Sequence, residues 1–319
     1  MGHFVNAASL VDIARECGCS VGSVEDFTDR CFTAIEALHD VFVRPLTVEE
    51  KMAEKEWLDN HIGFHGTWRE GWVMYDGTIV VLYAQPGLDS DAYYTRKANY
   101  GLNLQVLFLY ISYKSHDYTK YVLKIGNVPS NLCIVDYSHG LTGSAHNATA
   151  FEHTTASKYP EWFFEGDVFA WVDSAYPLTK HTIPVHRKPA ALRRENTIFD
   201  KAVSHLCVWS EHCIGTLKGH FQCLQGLRVS INTKEDHVHA CRWIKMAIIL
   251  HNLVIDVEGK ESGAVFGHTH TLVDEDMDIA AEEDIIMDEL EDEDGEGRAK
   301  RLKLLAELLA YHEQVNIPF

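Results

Sequence analysis

Apolar positions change their period along this chain, and each change predicts a different kind of element. Leu10, Ile13 and Ala14, then Val21, Val24, Phe27 and Cys31, recur at the three- and four-residue intervals that gather side chains on one side of a helix. Gly18 interrupts the run and Ser20 stands where an N-cap would begin a second helix, so Cys17, Gly18 and Cys19 read as a turn. A helix-turn-helix and a plain helical hairpin packed on the next domain are both open. The second helix carries Glu25, Asp26 and Asp29 against Arg30, a surface that suits phosphate poorly. Thr47, with Glu49 and Glu50 in its first turn, predicts a charged helix from Leu46 to Asn60.

From Trp68 the runs shorten. GWVMYDGTIVVLYAQPG, NYGLNLQVLFLYISY, NLCIVDYSHG and DVFAWVDSAYPL are apolar stretches bounded by Gly, Pro and polar turns, the signature of strands, with a helix-like stretch from Ala148 to Tyr159 before the last. ENTIFDKAVSHLCVWSEHCIGTLKGHFQCLQGL and HACRWIKMAIILHNLVIDV return to a helical period. Strands first and interleaved helices later predict an α/β domain with a mixed sheet. The expected division is a helical segment over 1–66, the main domain over 67–256, an acidic and disordered linker over 257–297 and an amphipathic helix over 298–319.

Charge sharpens this division. Of the net −19, fourteen acidic residues fall between Asp274 and Glu296 with no Lys or Arg among them, which leaves −5 for the rest of the chain. A block of this kind reads as a solvated segment. No stretch approaches the roughly 18 uninterrupted apolar residues of a membrane helix, and the first residues lack the basic-then-apolar order of a signal peptide, so a soluble intracellular protein without a membrane partner is expected. Eight cysteines are scattered without CxxC pairs, which favours free thiols over disulfides or zinc.

Two-metal phosphodiester chemistry needs carboxylates from separate elements, because hard cations such as Mg²⁺ take oxygen ligands. Asp76 follows the run Trp72 to Tyr75 and precedes Gly77; Asp173 follows Phe169 to Val172; Glu211 lies inside a long helical stretch. Taken singly, the two aspartates also read as turn residues and the glutamate as a solvated helix residue.

Taken together, the blocks YDGTIVVLYAQPG, YYTRKANYGLNLQ, GLTGSAHNATAFEHT, WVDSAYPL, SEHCIGTLKGHFQCLQGLR and IILHNLVI resemble, in order over roughly residues 70 to 256, those of the Harbinger-type DDE transposase family, in versions close to fungal ones. The resemblance implies a ribonuclease-H-like fold, a DNA endonuclease activity, and two Mg²⁺ or Mn²⁺ ions held by Asp76, Asp173 and Glu211. It also implies DNA as partner, a separate DNA-binding protein, homo-oligomerisation and nuclear localisation. Thirty-seven residues separate Asp173 from Glu211, near the family's spacing. Lys218 and Arg228 are the expected phosphate contacts, with solvated surface as the competing reading. Asn147, beside His146 in the GSAHN block, and Asp136 are weaker alternatives for the second acid.

The chain departs from the family pattern at Asn147, where Asp is usual, and at Cys207, Trp209 and His220, where arginines are usual. Each departure is one transition away from the family residue, and the loss of arginine removes forked phosphate donors. The segment from about Leu107 to Gly126 has no counterpart in the family pattern. It reads either as an inserted hairpin or as translated intron. A catalytically inert DNA- or partner-binding protein that kept the fold is the rival to a working nuclease. His237, His239 and Cys241 alternate along a helix start and are expected to be structural, while His251 and Asn252 are expected to bond core backbone.

Overall fold

The computed structural model describes residues 9–44, 46–95, 98–105, 125–128, 132–142, 155–258 and 294–315. The chain opens with helices α1 (Leu10–Cys17), α2 (Val21–Glu36), α3 (His39–Phe42) and α4 (Val48–Ile62). Then come β1 (Val73–Val81), α5 (Ser90–Tyr93), β2 (Gly101–Gln105), β3 (Ile125–Val128), β4 (Cys133–Asp136) and β5 (Ser138–Thr142). Helices α6 (Thr155–Lys158) and α7 (Pro160–Phe163) precede β6 (Ala170–Val172) and β7 (Thr182–Pro184). Three longer helices follow: α8 (Arg194–His220), α9 (Lys234–Glu258) and α10 (Gly295–Gln314).

Local chemistry sets the early helix boundaries as expected. Ser20 accepts from Ser23 N at the start of α2, Gly18 closes α1 at φ 66°, and Thr47 with Glu50 forms a capping box on α4. The hairpin of α1 and α2 is docked on α9. Phe32 lies edge-on to Trp243 at 4.7 Å, and Arg242 covers Phe32 while reaching Glu36 at 3.1 Å and Asp29 at 3.2 Å. Two acids of α2 are therefore engaged within the protein, which is what a packed hairpin requires.

Strand β1 is the centre of the sheet and changes partners midway. Met74, Tyr75 and Asp76 pair antiparallel with Asn127, Gly126 and Ile125 of β3, whereas Gly77 to Val81 pair antiparallel with Gln105 to Gly101 of β2. One step along β1 thus moves its partner from 125 to 105. The far neighbour repeats the step, since Gln105 faces Ser138 and Gly126 faces Asp136. If residues 106–124 are set aside, β2 and β3 are one strand, and β4 with β5 is another. The segment expected without counterpart is therefore bounded by register at 106–124, with Ile125 and Gly126 inside β3.

On the other side, β6 pairs parallel with β1 and β7 parallel with β6. Among the described residues the seven strands occupy five rows: the central β1, the β2–β3 row antiparallel to it, and the β4–β5, β6 and β7 rows, which all run parallel to it. This is a mixed sheet flanked by helices, compatible with the ribonuclease-H-like fold. Helix α8 lies along β1, and α9 along β4 and β5. His251 and Asn252 behave as expected: His251 Nε2 lies 3.0 Å from Leu132 O, and the Asn252 amide pairs with both N–H and C=O of Ile134. By length and composition α9 would be able to cross a membrane, a point the search for uninterrupted runs missed; most of its apolar residues are buried in this core.

The C-terminal helix joins the same body. Leu304, Leu305 and Leu308 are buried with Trp68, Phe169 and Trp171. Trp68 Nε1 donates to Leu304 O at 2.8 Å, and Glu307 accepts from Thr67 N and Oγ1. The expectation that 256–297 holds no packed position fails at its end: Gly297 is buried, and a Cβ there would come within 2.6 Å of the Thr179 backbone. At its beginning, α9 continues to Glu258. Residues 259–293 lie outside the described residues.

Candidate active site

Two of the three expected acids stand level on neighbouring parallel strands, Asp76 within β1 and Asp173 just after the end of β6. Val73, Met74 and Tyr75 are in register with Ala170, Trp171 and Val172, and the next step brings Asp76 beside Asp173, at the roughly 4.8 Å spacing of adjacent strands. Side chains alternate along a strand, so Asp76 shares its face with Met74 and Thr78, and Asp173 shares its face with Trp171. That face belongs to α8. Trp171 meets Phe199 of α8 at 6.1 Å, and Lys218 Nζ donates to Thr78 Oγ1 at 2.7 Å.

Glu211 precedes Lys218 by seven residues, about two helical turns, so both project from one side of α8; Cys207 lies a further turn back. The steps from Thr78 to Asp76 and from Lys218 to Glu211 run the same way along the packed pair. Cys207 is half-buried and within electrostatic reach of the acids. Burial, and then the negative charges of Asp76, Asp173 and Glu211, push its thiol above the ordinary range. All three acids are half-buried. Asp76 Oδ1 accepts from Gly77 N at 2.6 Å within β1, and Asp173 Oδ1 accepts from Ala175 N at 2.6 Å in the turn that follows β6. The three acids are not drawn into one cluster: among the described residues no group of three or more His, Cys, Asp or Glu side chains forms a ready metal site.

The other expected residues sort by position. Lys218 is brought to the strand of Asp76. Arg228 is exposed, stacks over Tyr83 at 5.1 Å and stands beyond the far end of β1, about 20 Å from Asp76 along the strand. Asp136 is on the opposite face, fully buried and turned toward the Tyr75 hydroxyl, so it does not join Asp76. His146 and Asn147 lie outside the described residues. His237 meets the Tyr93 hydroxyl at 2.8 Å and His239 accepts from Trp243 at 3.0 Å, structural roles as expected.

Of the three positions read as lost phosphate contacts, Cys207 alone borders the acids. Trp209 is packed edge-on against Trp57 and His61 of α4 at 5.3 and 6.0 Å. His220 lies 5.8 Å from His251, and burial lowers its pKa. Missed in the sequence was Arg187, whose Nε donates to Ser174 O at 2.7 Å, one residue from Asp173. The basic run HRKPAALRR was the available signal, but its place beside Asp173 depends on the pairing of β6 with β7.

The family model for the DDE superfamily endonuclease matches residues 108–252. That span holds Asp173, Glu211 and Lys218, begins after Asp76, and starts inside the 106–124 segment. No curated protein and no solved structure matches the chain. Over residues 108–252, the chain is similar to the DDE superfamily endonucleases.

Proposed function

We propose that the chain is a divalent-metal-dependent DNA endonuclease derived from a Harbinger-type transposase close to fungal versions, cleaving phosphodiester bonds at Asp76, Asp173 and Glu211. The observation that carries the reading is the register that sets Asp76 of β1 beside Asp173, which follows β6, on the face covered by the helix that carries Glu211 and Lys218. The donor set fits Mg²⁺ or Mn²⁺, being hard oxygens at the carboxyl edge of a parallel pair. Asp76, Asp173 and Glu211 would hold the ions, which supply Lewis-acid charge to the attacking and leaving oxygens of a phosphodiester.

The rest is done by the chain itself. Gly77 N–H and Ala175 N–H orient the two aspartates, and α8 covers the face on which they lie. Thr78 holds the Lys218 ammonium two residues from Asp76, where it offers a positive charge to a phosphate. In this reading residues 67–256 form the nuclease domain with DNA as substrate, a separate DNA-binding partner supplies sequence choice, the protein assembles with itself, and the site of action is the nucleus.

A second reading, an inert binding protein that kept the fold, is favoured by Cys207 standing among the acids in place of a guanidinium. The two separate cleanly. Supercoiled plasmid incubated with the protein and Mn²⁺ is expected to be nicked, and Asp173→Ala to abolish nicking while leaving the melting temperature within about 2–4 °C. Equal nicking by the variant, or none by wild type, would reject the nuclease reading.

A further inference from the structure

We propose that the connection from β7 to α8, residues 186–194, is a docking surface for the phosphate backbone of duplex DNA. The proposal rests on the nuclease reading and adds the substrate's path to it. In a chain of net charge −19, this connection holds Arg187, Lys188, Arg193 and Arg194 and no acid, and all four are exposed. Its position is set by the sheet. Val172 is in register with Pro184, so the connection leaves the edge at which β6 ends in Asp173, level with Asp76 of β1.

The surface is built as well as charged. Arg187 Nε is tied to Ser174 O at 2.7 Å, which places a guanidinium with four further N–H donors next to Asp173. Asn196 Nδ2 donates to Ala190 O at 2.8 Å and Thr197 Oγ1 to Ala191 O at 3.0 Å, so the 3₁₀ turn Ala190–Leu192 is pinned to the first turn of α8. The N-terminus of this 27-residue helix opens beside Arg193 and Arg194 and adds the positive end of its dipole, with Glu195 the one acid of its first turn. Preordered cations at the rim of an acidic site hold a phosphodiester strand against carboxylates that would otherwise repel it.

The test is the salt dependence of binding to a short duplex, read by fluorescence anisotropy without divalent metal. Wild type, Arg187→Gln and the double variant Arg193→Gln, Arg194→Gln are compared. Each lost phosphate contact is expected to lower the logarithmic slope by about 0.9 units and to weaken binding several-fold at low salt. Equal slopes and affinities in all three proteins, or no binding by wild type, overturn the proposal. Mn²⁺ titration of the same proteins keeps the two readings apart: normal Mn²⁺ binding with equal slopes removes the DNA path alone, whereas altered slopes without Mn²⁺ binding remove the nuclease reading alone.

Register carries a second inference independently. We infer that residues 106–124 interrupt a single strand and that the chain joining Gln105 to Ile125 is the form in which the sheet closes without a break. The offset is nineteen against β1 and again between the innermost pairs with β5 and β4, Gln105 with Ser138 and Gly126 with Asp136, each of which has a register shift beside it. The boundaries set by register fall on Val106 and Lys124. Every valine codon begins with GU and a lysine codon can end in AG, the terminal dinucleotides of a spliced intron. Joining the ends also removes a long connection whose closure costs entropy. The joined and full chains are compared by thermal unfolding and by amide exchange over Tyr75–Thr78, alongside the size of the transcript across this region. A higher melting temperature, slower exchange and a transcript shorter by nineteen codons are expected; a joined chain that fails to fold or melts lower overturns the inference.

Discussion

Asp136 shows what a single residue can cost and how that cost varies with pH. Its carboxyl is fully buried beside the Tyr75 hydroxyl, and desolvation raises its pKa well above the usual carboxylate range. A carboxyl whose folded pKa is raised binds its proton more tightly when folded, so its contribution to stability is full below the unfolded value near 3.9. It is lost as pH climbs toward the folded value. Asp136→Asn removes the ionisation and keeps the shape. Its melting temperature is expected to decline less than that of wild type between about pH 4 and neutrality, as followed by circular dichroism. Parallel curves would show that Asp136 is not buried as described.

Thiols give a second residue-scale prediction. Burial holds Cys213 well above its ordinary range and pushes Cys223 and Cys241 up to about 12, so these three carry almost no thiolate near pH 8. An aromatic disulfide reagent should therefore react quickly with exposed Cys17, Cys19 and Cys31 and more than ten-fold more slowly with the buried three until the protein unfolds.

Among elements, α10 and α8 mark the limits of what periodicity conveys. The apolar stripe of α10 announces a helix that must be covered, but not what covers it; the partner is Trp68 and the turn around Thr67, more than 230 residues away in sequence. Leu304→Ala is expected to cost about 2–5 kcal/mol in chemical denaturation, as for other buried leucines. A cost under about 0.5 kcal/mol would place α10 off the core. The candidate acids were legible as candidates because two follow apolar runs in the sequence and one sits in a helix, within an order of blocks that resembles the family's. Arg187 was not, since its neighbour Ser174 is reached through the β6–β7 pairing, and alternation along one strand does not say which strand lies beside it. The packing of Trp209 was not legible either: the sequence shows an aromatic where the family pattern has arginine, and only the fold shows that its ring lies on α4.

At the scale of the whole molecule, charge is segregated. Cations of the β7–α8 connection sit on the carboxyl edge of the parallel strands, the acids of the site lie just inside it, and most of the net negative charge is concentrated between Asp274 and Glu296. The proposed DNA path uses this one edge of a chain of net charge −19, and on that proposal affinity is expected to fall steeply as salt rises. The central claim, that Asp76, Asp173 and Glu211 jointly hold divalent cations, is tested most directly by Mn²⁺ titration followed by electron paramagnetic resonance, on wild type and on Asp76→Asn, Asp173→Asn and Glu211→Gln. Wild type is expected to bind Mn²⁺ in the micromolar to millimolar range and each variant at least about ten-fold more weakly, with unchanged circular dichroism; Mn²⁺ affinity that is the same in all four proteins would contradict the account.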